Sequence, residues 1–206
     1  RSKPEPLVNL AHLDSLCEDV IVNGQPCTIV HIYADAPNYT WTDASGEGIA
    51  CIDDVARAAV VYMKAYEAGY EVSLDRIKGL LRFVLVLQAD DGEFYNFVNA
   101  DMSINKAGVT SKKDFAFWAA RGYWALGHGY RFFRKHDIVF SDELENAFLK
   151  CTEPIDKLLS NYGQFVEQNG RRYPQWLMIE FGSDATSELL LGITSYLQEK
   201  PHPQLA

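Results

Sequence analysis

After about residue 50, apolar side chains recur at intervals of three and four, which is the spacing of one face of an α-helix. This pattern predicts a helix that begins near Ile52 and is stopped by Gly69. Ser73 is the predicted N-cap of the next helix, whose apolar stripe runs to about Gln88. The short turn between these helices predicts a helical hairpin.

The same spacing predicts three later helices. The first spans about 114–135, and its glycine and alanine residues would allow neighbouring helices to approach closely. Another begins with Ser141 as its cap and is kinked or split by Pro154. The last starts near Asp184 and ends before Pro201.

The N-terminal region has a different pattern. A short helix is expected over 7–17, and β-branched runs on both sides of Asn23-Gly24 predict a small β-hairpin over 20–30. We therefore predict a single all-α domain of helical hairpins over 1–206, with this hairpin within its 1–49 segment and the helices within 50–200. The chain begins with Arg1 and not with Met, so we expect it to be part of a larger protein.

The connections alternate in length. Helices that start near 50, 113 and 184 are 63 and 71 residues apart, which is a helical-hairpin period. Short turns lie within the hairpins, and long connections precede them, at 33–49, 89–112 and 163–183. In an up-and-down array alternate connections lie at the same end, so the three long connections should share one face. Long loops in compact domains usually carry function.

Composition excludes several classes of protein. The net charge is −9 and no basic patch occurs, which argues against a nucleic-acid partner. The longest apolar run, 83–87, is far below the ~20 residues that span a bilayer. Removal of an N-terminal piece is compatible with export, so a periplasmic or extracellular location is expected, with a cytoplasmic one left open.

No metal or cofactor is predicted. The four cysteines (Cys17, Cys27, Cys51 and Cys151) lack the C-x-x-C spacing of zinc and thioredoxin motifs, and the five histidines show no ligand spacing. Cys17 and Cys27 flank a turn and are either bridged or, like the others, free thiols. Nucleotide-binding and hydrolase-elbow motifs do not occur.

Aromatic side chains and carboxylates alternate in the three long connections. Aromatic rings stack on the C–H faces of sugars, carboxylates accept hydrogen bonds from hydroxyls, and a carboxylate pair can cleave a glycosidic bond. These features favour a carbohydrate partner. The residues that we single out are Trp41, Asp43, Glu47, Asp91, Tyr95, Tyr173, Trp176, Glu180 and Phe181.

The densest cluster of polar residues is Ser45–Arg57, at the start of the helix predicted from Ile52. Asp53 and Asp54 lie in its first turn, where the helix dipole stabilises negative charge, and Arg57 can pair with Asp53 four residues earlier. One interpretation is therefore purely structural. The other is that one aspartate faces a cleft; because Asp53 is the expected partner of Arg57, Asp54 is the preferred acid or base.

Three further candidates have two interpretations each. Asp90-Asp91-Gly92 is typical of a turn, although Asp91 can also face a ligand. Trp118 is either a core residue or a substrate contact. Arg121 is hard to bury without a partner, so it is either paired to a carboxylate or facing substrate.

Several of these motifs resemble the six-hairpin glycosidase superfamily. They are Gly46-Glu47-Gly48 with Asp53-Asp54-Val55-Ala56-Arg57-Ala58, Gln88–Tyr95, Trp118–Arg121, and Trp176-Leu177 with Ser183–Glu188. A similar aspartate motif also occurs in a helical segment of some bacterial glycosyltransferases. The resemblance covers about 41–198. It implies an (α/α) toroid with a sugar site at one mouth, of which this chain supplies about half.

The resulting hypothesis is a carbohydrate-active, glycoside hydrolase-like domain that acts on or binds a neutral oligo- or polysaccharide. Alternatives are a polysaccharide lyase and a non-catalytic sugar-binding or interaction module. Half a ring would leave one helix face uncovered. We therefore expect this face to be an exposed apolar strip, to be covered by a homodimer partner or by a missing C-terminal half, or to be avoided by unusual packing. The predicted catalytic residues are Asp54 and Asp53, and the predicted substrate contacts are Trp41, Asp43, Glu47, Arg57, Asp91, Tyr95, Trp118, Arg121 and Trp176.

Overall fold

A computed structural model of the chain describes residues 8–179, 182–203 and 205. Glu180 and Phe181 of the third long connection, and Leu7 of the first predicted helix, lie outside these residues. The helices are α1 (Ala11–Leu16), α2 (Ile52–Glu67), α3 (Leu74–Leu87), α4 (Phe117–Phe133), α5 (Ile138–Lys150), α6 (Thr152–Leu159) and α7 (Ser183–Leu197). The strands are β1 (Cys17–Val22), β2 (Gln25–Val30), β3 (Tyr33–Asp35), β4 (Thr40–Thr42), β5 (Ala50–Cys51), β6 (Phe97–Val98), β7 (Phe165–Gln168) and β8 (Arg171–Pro174).

The prediction of an all-α half-toroid of helical hairpins with one β-hairpin near the N-terminus is wrong, because the protein is a mixed α/β structure. The described residues form four two-stranded antiparallel sheets spread along the chain, β1–β2, β3–β4, β5–β6 and β7–β8. The predicted N-terminal hairpin, β1–β2, is only one of them. The other three lie in the connections that were expected to be irregular loops. Short alternating segments such as 40–42 and 165–168 are long enough to pair as strands, although they are too short to stand out from loop sequence.

The helices of the core are arranged around α4. This helix packs between α2 and α7 and also contacts α5, while α3 packs against α2 and against strand β2. Small residues allow the closest approach, as the sequence predicted for this helix. A methyl group added at Gly127 of α4 would lie 2.9 Å from the backbone carbon of Gly192 in α7. The α4–α7 contact therefore depends on glycine at both positions.

The helix ends agree with the sequence in some places and not in others. Gly69 follows α2 in the left-handed region, with φ +86°, and the Ser73 hydroxyl accepts a hydrogen bond from the Asp75 N–H at 3.2 Å. Both predicted boundaries are confirmed. The predicted cap at Ser141 is wrong, because Asp137 caps α5 and the buried Ser141 hydroxyl donates to the Tyr130 carbonyl at 3.0 Å. Aspartate competes well with serine as a cap.

Proline splits the fourth predicted helix, as expected. α5 ends at Lys150, α6 begins at Thr152, and Pro154 lies in the first turn of α6, where a missing N–H leaves no hydrogen bond unmade. The four cysteines are free thiols; Cys17 is half-buried and the others are buried. The interpretation of these residues as small hydrophobic side chains is therefore confirmed, and Cys17 and Cys27 are not bridged.

The last helix carries exposed apolar surface. Leu190 and Leu191 on α7 are 53% and 46% exposed. The expected apolar strip, homodimer or missing C-terminal half over a helix face stays a prediction, because two exposed leucines do not make a strip. Among the residues that the structure describes, no helix combines the length and apolarity needed to cross a membrane.

Candidate functional site

The starts of α2, α4 and α7 lie together. Each of these helices follows one of the three long connections, and each places one charged side chain at the meeting point: Asp53, Arg121 and Glu188. The first two connections also contact each other directly, because β5 pairs with β6. The first two long connections therefore lie at one end, as expected, and the shared position of all three stays a prediction.

Arg121 binds two carboxylates from two other helices. Its Nη1 donates to Asp53 Oδ1, and its Nε lies 3.1 and 3.0 Å from the two oxygens of Glu188. The guanidinium also lies 5.4 Å from the ring centre of Phe117. The side chains of Asp53, Arg121 and Glu188 are 15%, 21% and 22% exposed. Ion pairs this well shielded are stronger than surface pairs, and Arg121 orients both carboxylates at once.

Arg57 extends this group toward solvent. Its Nη2 lies 2.5 Å from Asp54 Oδ1 and 3.3 Å from Asp53 Oδ1, and its side chain is 47% exposed. The predicted pair of Arg57 with Asp53 is present, but Asp54 is the closer partner of Arg57, and Asp53 is also held by Arg121. The assignment of Asp54 as the acid or base stays a prediction. Positions three apart are neighbours on a helix as much as positions four apart, and the tertiary partner of Asp53 is not visible in the local sequence.

Burial changes the proton affinity of two groups here. Desolvation raises the pKa of Asp53, and this effect exceeds the opposing attraction of Arg121 and Arg57. Desolvation, reinforced by the charge of Asp54, also raises the pKa of Cys51 well above its ordinary value. The Cys51 thiol therefore stays protonated at neutral pH and donates to Asp54 Oδ2 at 3.3 Å. Asp53 therefore takes up a proton more readily than an ordinary exposed aspartate does.

Ligand atoms of Cys51, Asp53 and Asp54 lie within 4.8 Å of one another. A divalent cation requires deprotonated ligands with free lone pairs. Here the thiol is a hydrogen-bond donor and both carboxylates face guanidinium groups, which already supply the positive charge. The chemistry of this donor set fits an ion-pair network better than a metal centre.

Glu47 lies in the first long connection and forms hydrogen bonds to the second. Its carboxylate accepts hydrogen bonds from the Ser111 hydroxyl at 2.5 Å and the Thr110 N–H at 3.2 Å, and its carbonyl accepts one from Asn105 Nδ2 at 2.7 Å. Desolvation opposes these bonds, but they prevail and lower the pKa of Glu47. Glu47 is a structural tie between loops, and Asp43 lies exposed nearby in sequence.

Asp91, Tyr95 and Trp118 are not brought into the charged cluster by any contact of the described residues. Asp91 pairs with Lys113, and Tyr95 lies 5.4 Å below the Lys106 ammonium. Trp118 is 4% exposed, and its Nε1 donates to the Phe94 carbonyl at 2.9 Å. The core interpretation of Trp118 is the one that the structure supports, because its ring is covered.

The two other candidate tryptophans lie on separate hairpins. Trp41 in β4 is 42% exposed, stacks on His31 with ring centres 3.8 Å apart, and donates to the Ser15 carbonyl at 3.1 Å. Trp176 follows β8 and contacts Tyr162 and Phe165. Both rings lie within long connections, and none of the contacts of the described residues joins either ring to the charged cluster.

Glu188 is the functional candidate that the sequence did not select. It lies in the Ser183–Glu188 motif, and Arg121 was expected to need either a carboxylate or a substrate. The missing information was which carboxylate would reach it from another helix. The described cavities of about 670, 760 and 460 Å³ are lined by residues other than Asp53, Arg121 and Glu188.

Comparison with known proteins does not assign this site. A scan against protein-family models gives no match for the chain, and a search of curated proteins gives none either. Function is therefore inferred from the chemistry of the residues described above.

Proposed function

We propose that the protein is a carbohydrate-active domain, glycoside hydrolase-like, that acts on a neutral oligo- or polysaccharide at the Asp53–Arg121–Glu188 cluster. The observation that carries the proposal is the position of Asp53. This carboxyl group has a raised pKa and shares one guanidinium with a second carboxylate, at the end of the helices where the long connections meet.

Glycosidic cleavage requires two carboxyl groups, one to protonate the leaving oxygen and one to assist attack at the sugar carbon. Asp53 suits the first role, because burial raises its pKa toward the range in which an acid can deliver a proton. Glu188 suits the second role, since Arg121 holds its carboxylate close to Asp53. Arg121 acts as the positioning residue for both.

Exposed aromatic rings support a sugar as the ligand. Tyr33, Tyr39 and Trp41, all in the first long connection, are 54%, 57% and 42% exposed. Such rings offer flat apolar faces to sugar C–H groups. The net charge of −9 disfavours phosphorylated and uronic acid substrates, which argues for a neutral sugar. The resemblance of the Asp53–Ala58 motif to six-hairpin glycosidases supports the same class.

A screen of defined neutral oligosaccharides tests the proposal, with released products separated by chromatography and binding followed by calorimetry. Asp53→Asn should reduce cleavage by about 10²–10⁴-fold, because it removes the proton donor. Glu188→Gln should cause a comparable loss. Glu143→Gln, at an exposed position on α5, is the matched control and should leave the rate unchanged.

Two further results separate the interpretations. Asp54→Asn should retain most of the activity if Asp53 is the acid; a loss confined to Asp54→Asn would return the catalytic role to Asp54. Thermal unfolding of each variant shows whether a lost rate reflects lost folding. Binding without cleavage would indicate a non-catalytic sugar-binding module, and neither binding nor cleavage across the screen would refute the proposal.

A further inference from the structure

Three aromatic side chains form an exposed cluster beside the β7–β8 hairpin, which we call the aromatic platform: Tyr162, Phe165 and Trp176. The ring centre of Trp176 lies 5.0 Å from that of Tyr162 and 5.0 Å from that of Phe165. Tyr162 is 75% exposed and Phe165 is 43% exposed. Tyr162 and Phe165 therefore keep much of their apolar area in contact with water, whereas Trp176 is half-buried against them.

The hairpin fixes the positions of these rings. Asn169 and Gly170 form its turn with φ angles of +52° and +71°, as expected for a tight two-residue connection. At its base the Gln175 N–H donates to the Gln164 carbonyl at 3.0 Å. Phe165 follows Gln164 and Trp176 follows Gln175 in the sequence. The hydrogen bond between the two glutamines therefore places Phe165 and Trp176 next to each other. Their arrangement is built into the backbone pairing.

A different side chain of this segment makes the contact with the core. Met178, two residues after Trp176, is 1% exposed and supplies the contact with the core. Exposed aromatic residues that cluster together, with a polar rim, typically mark a binding surface. The platform has such a rim: Gln164 and Gln175 are exposed, and Asn161 is partly exposed.

The chemistry of the platform identifies a ligand class. Flat ring faces match the C–H faces of sugars, and the amide groups of Gln164 and Gln175 can both donate to and accept from hydroxyls. The Arg172 guanidinium is stacked 3.8 Å from the ring centre of Phe165. The N–H groups at the edge of this guanidinium are further donors. We infer that the aromatic platform is a second sugar-binding surface, which holds a neutral polysaccharide chain. This inference rests on the proposed function for its class of ligand.

The platform is linked to the charged cluster through α7. The Met178 N–H donates to the Thr186 hydroxyl at 3.0 Å, in the first turn of that helix. Glu188 follows two residues later on the same helix and binds Arg121. A polymer bound on the platform is therefore held at the start of the helix that carries one of the proposed catalytic carboxylates. Such a surface increases the local concentration of a long substrate and has little effect on a short one.

Affinity electrophoresis in gels that contain soluble neutral polysaccharides tests the platform. Trp176→Ala and Tyr162→Ala should each weaken polymer binding by about tenfold, because each removes one stacking ring. Tyr162→Trp should retain binding, since it keeps a flat aromatic face. Val139→Ala, at a 75% exposed apolar position on α5, is the control and should bind like the unmodified chain.

The same variants are assayed for cleavage of short oligosaccharides, and their folding is checked by circular dichroism. In Tyr162→Ala, weaker polymer binding with unchanged cleavage of short oligosaccharides supports the platform. Equal polymer binding by both alanine variants and the unmodified chain overturns it, while leaving the proposed catalytic site intact. Polymer binding by none of the proteins also overturns it. Loss of cleavage in Asp53→Asn with polymer binding preserved supports the separation of the two sites.

Discussion

His128 lies in the packed interface between α4 and α7 and links the stability of the fold to pH. It is 7% exposed, and its Nδ1 lies 3.4 Å from the Ser195 hydroxyl. No hydrogen-bond partner of its Nε2 is found among the residues that the structure describes. Burial lowers the pKa of His128 to about 4, with Glu67 opposing this shift and Lys64 and Arg131 adding to it. The imidazole is thus buried in its neutral form.

The size and sign of the effect follow from this shift. An unfolded histidine binds a proton near pH 6.5, whereas His128 in the folded chain binds one only near pH 4. Between these values the unfolded chain binds more protons, so the free energy of unfolding falls as the pH falls. For one such group, the loss between pH 7 and pH 5 is about 2 kcal/mol. Below the folded pKa the loss levels off.

Urea unfolding at a series of pH values measures this loss. His128→Asn removes the titrating group and retains a polar side chain for Ser195. The variant should be less stable than the unmodified chain at pH 7. Between pH 7 and pH 5, however, its free energy of unfolding should fall by about 2 kcal/mol less than that of the unmodified chain. His12→Asn, at an exposed position, is the control and should leave the pH dependence unchanged. Identical pH dependence in His128→Asn and the unmodified chain would refute the reasoning.

Two further predictions concern packing and loop order. Gly127→Ala should lower the free energy of unfolding by about 1–3 kcal/mol, because the added methyl group meets the backbone of Gly192. Gly122→Ala is the control in the same urea titration, because its methyl group meets the movable end of a side chain. Glu47→Gln should speed amide hydrogen exchange around Ser111, since it weakens the tie between two connections. Because the pKa of Glu47 is lowered on folding, acidification through that pKa should loosen the same loop in the unmodified chain. Unchanged exchange in either experiment would contradict the assignment of Glu47 as a structural tie.

The helices of this protein were predictable because their signals are local. Apolar spacing located α2, α3, α4 and α7, and the residues that cap or stop a helix act within one turn of its end. The Asn23-Gly24 turn likewise identified β1–β2. Asn169-Gly170 carries the same signal for β7–β8, so that hairpin was also within reach of sequence reasoning, although it was assigned to a loop.

The remaining strands could not be found in this way. β5 and β6 are two residues long each and are joined across 46 residues of sequence, at Ala50↔Val98 and Cys51↔Phe97. A two-residue strand has no periodicity, and it exists because the packing of α2 and α3 brings its partner alongside. Such pairing is a property of the assembled fold.

The sequence by itself determined which chemical groups stand at the starts of the helices: the aspartates at 53 and 54, Arg57 and Arg121. Only the tertiary structure decided their partners. In the folded chain, Arg121 pairs with both Asp53 and Glu188, and Arg57 lies closest to Asp54. Trp118 is buried against Phe94. Helix periodicity is set within a few residues, whereas an ion pair between helices depends on how those helices pack, and that is fixed by contacts far apart in the chain.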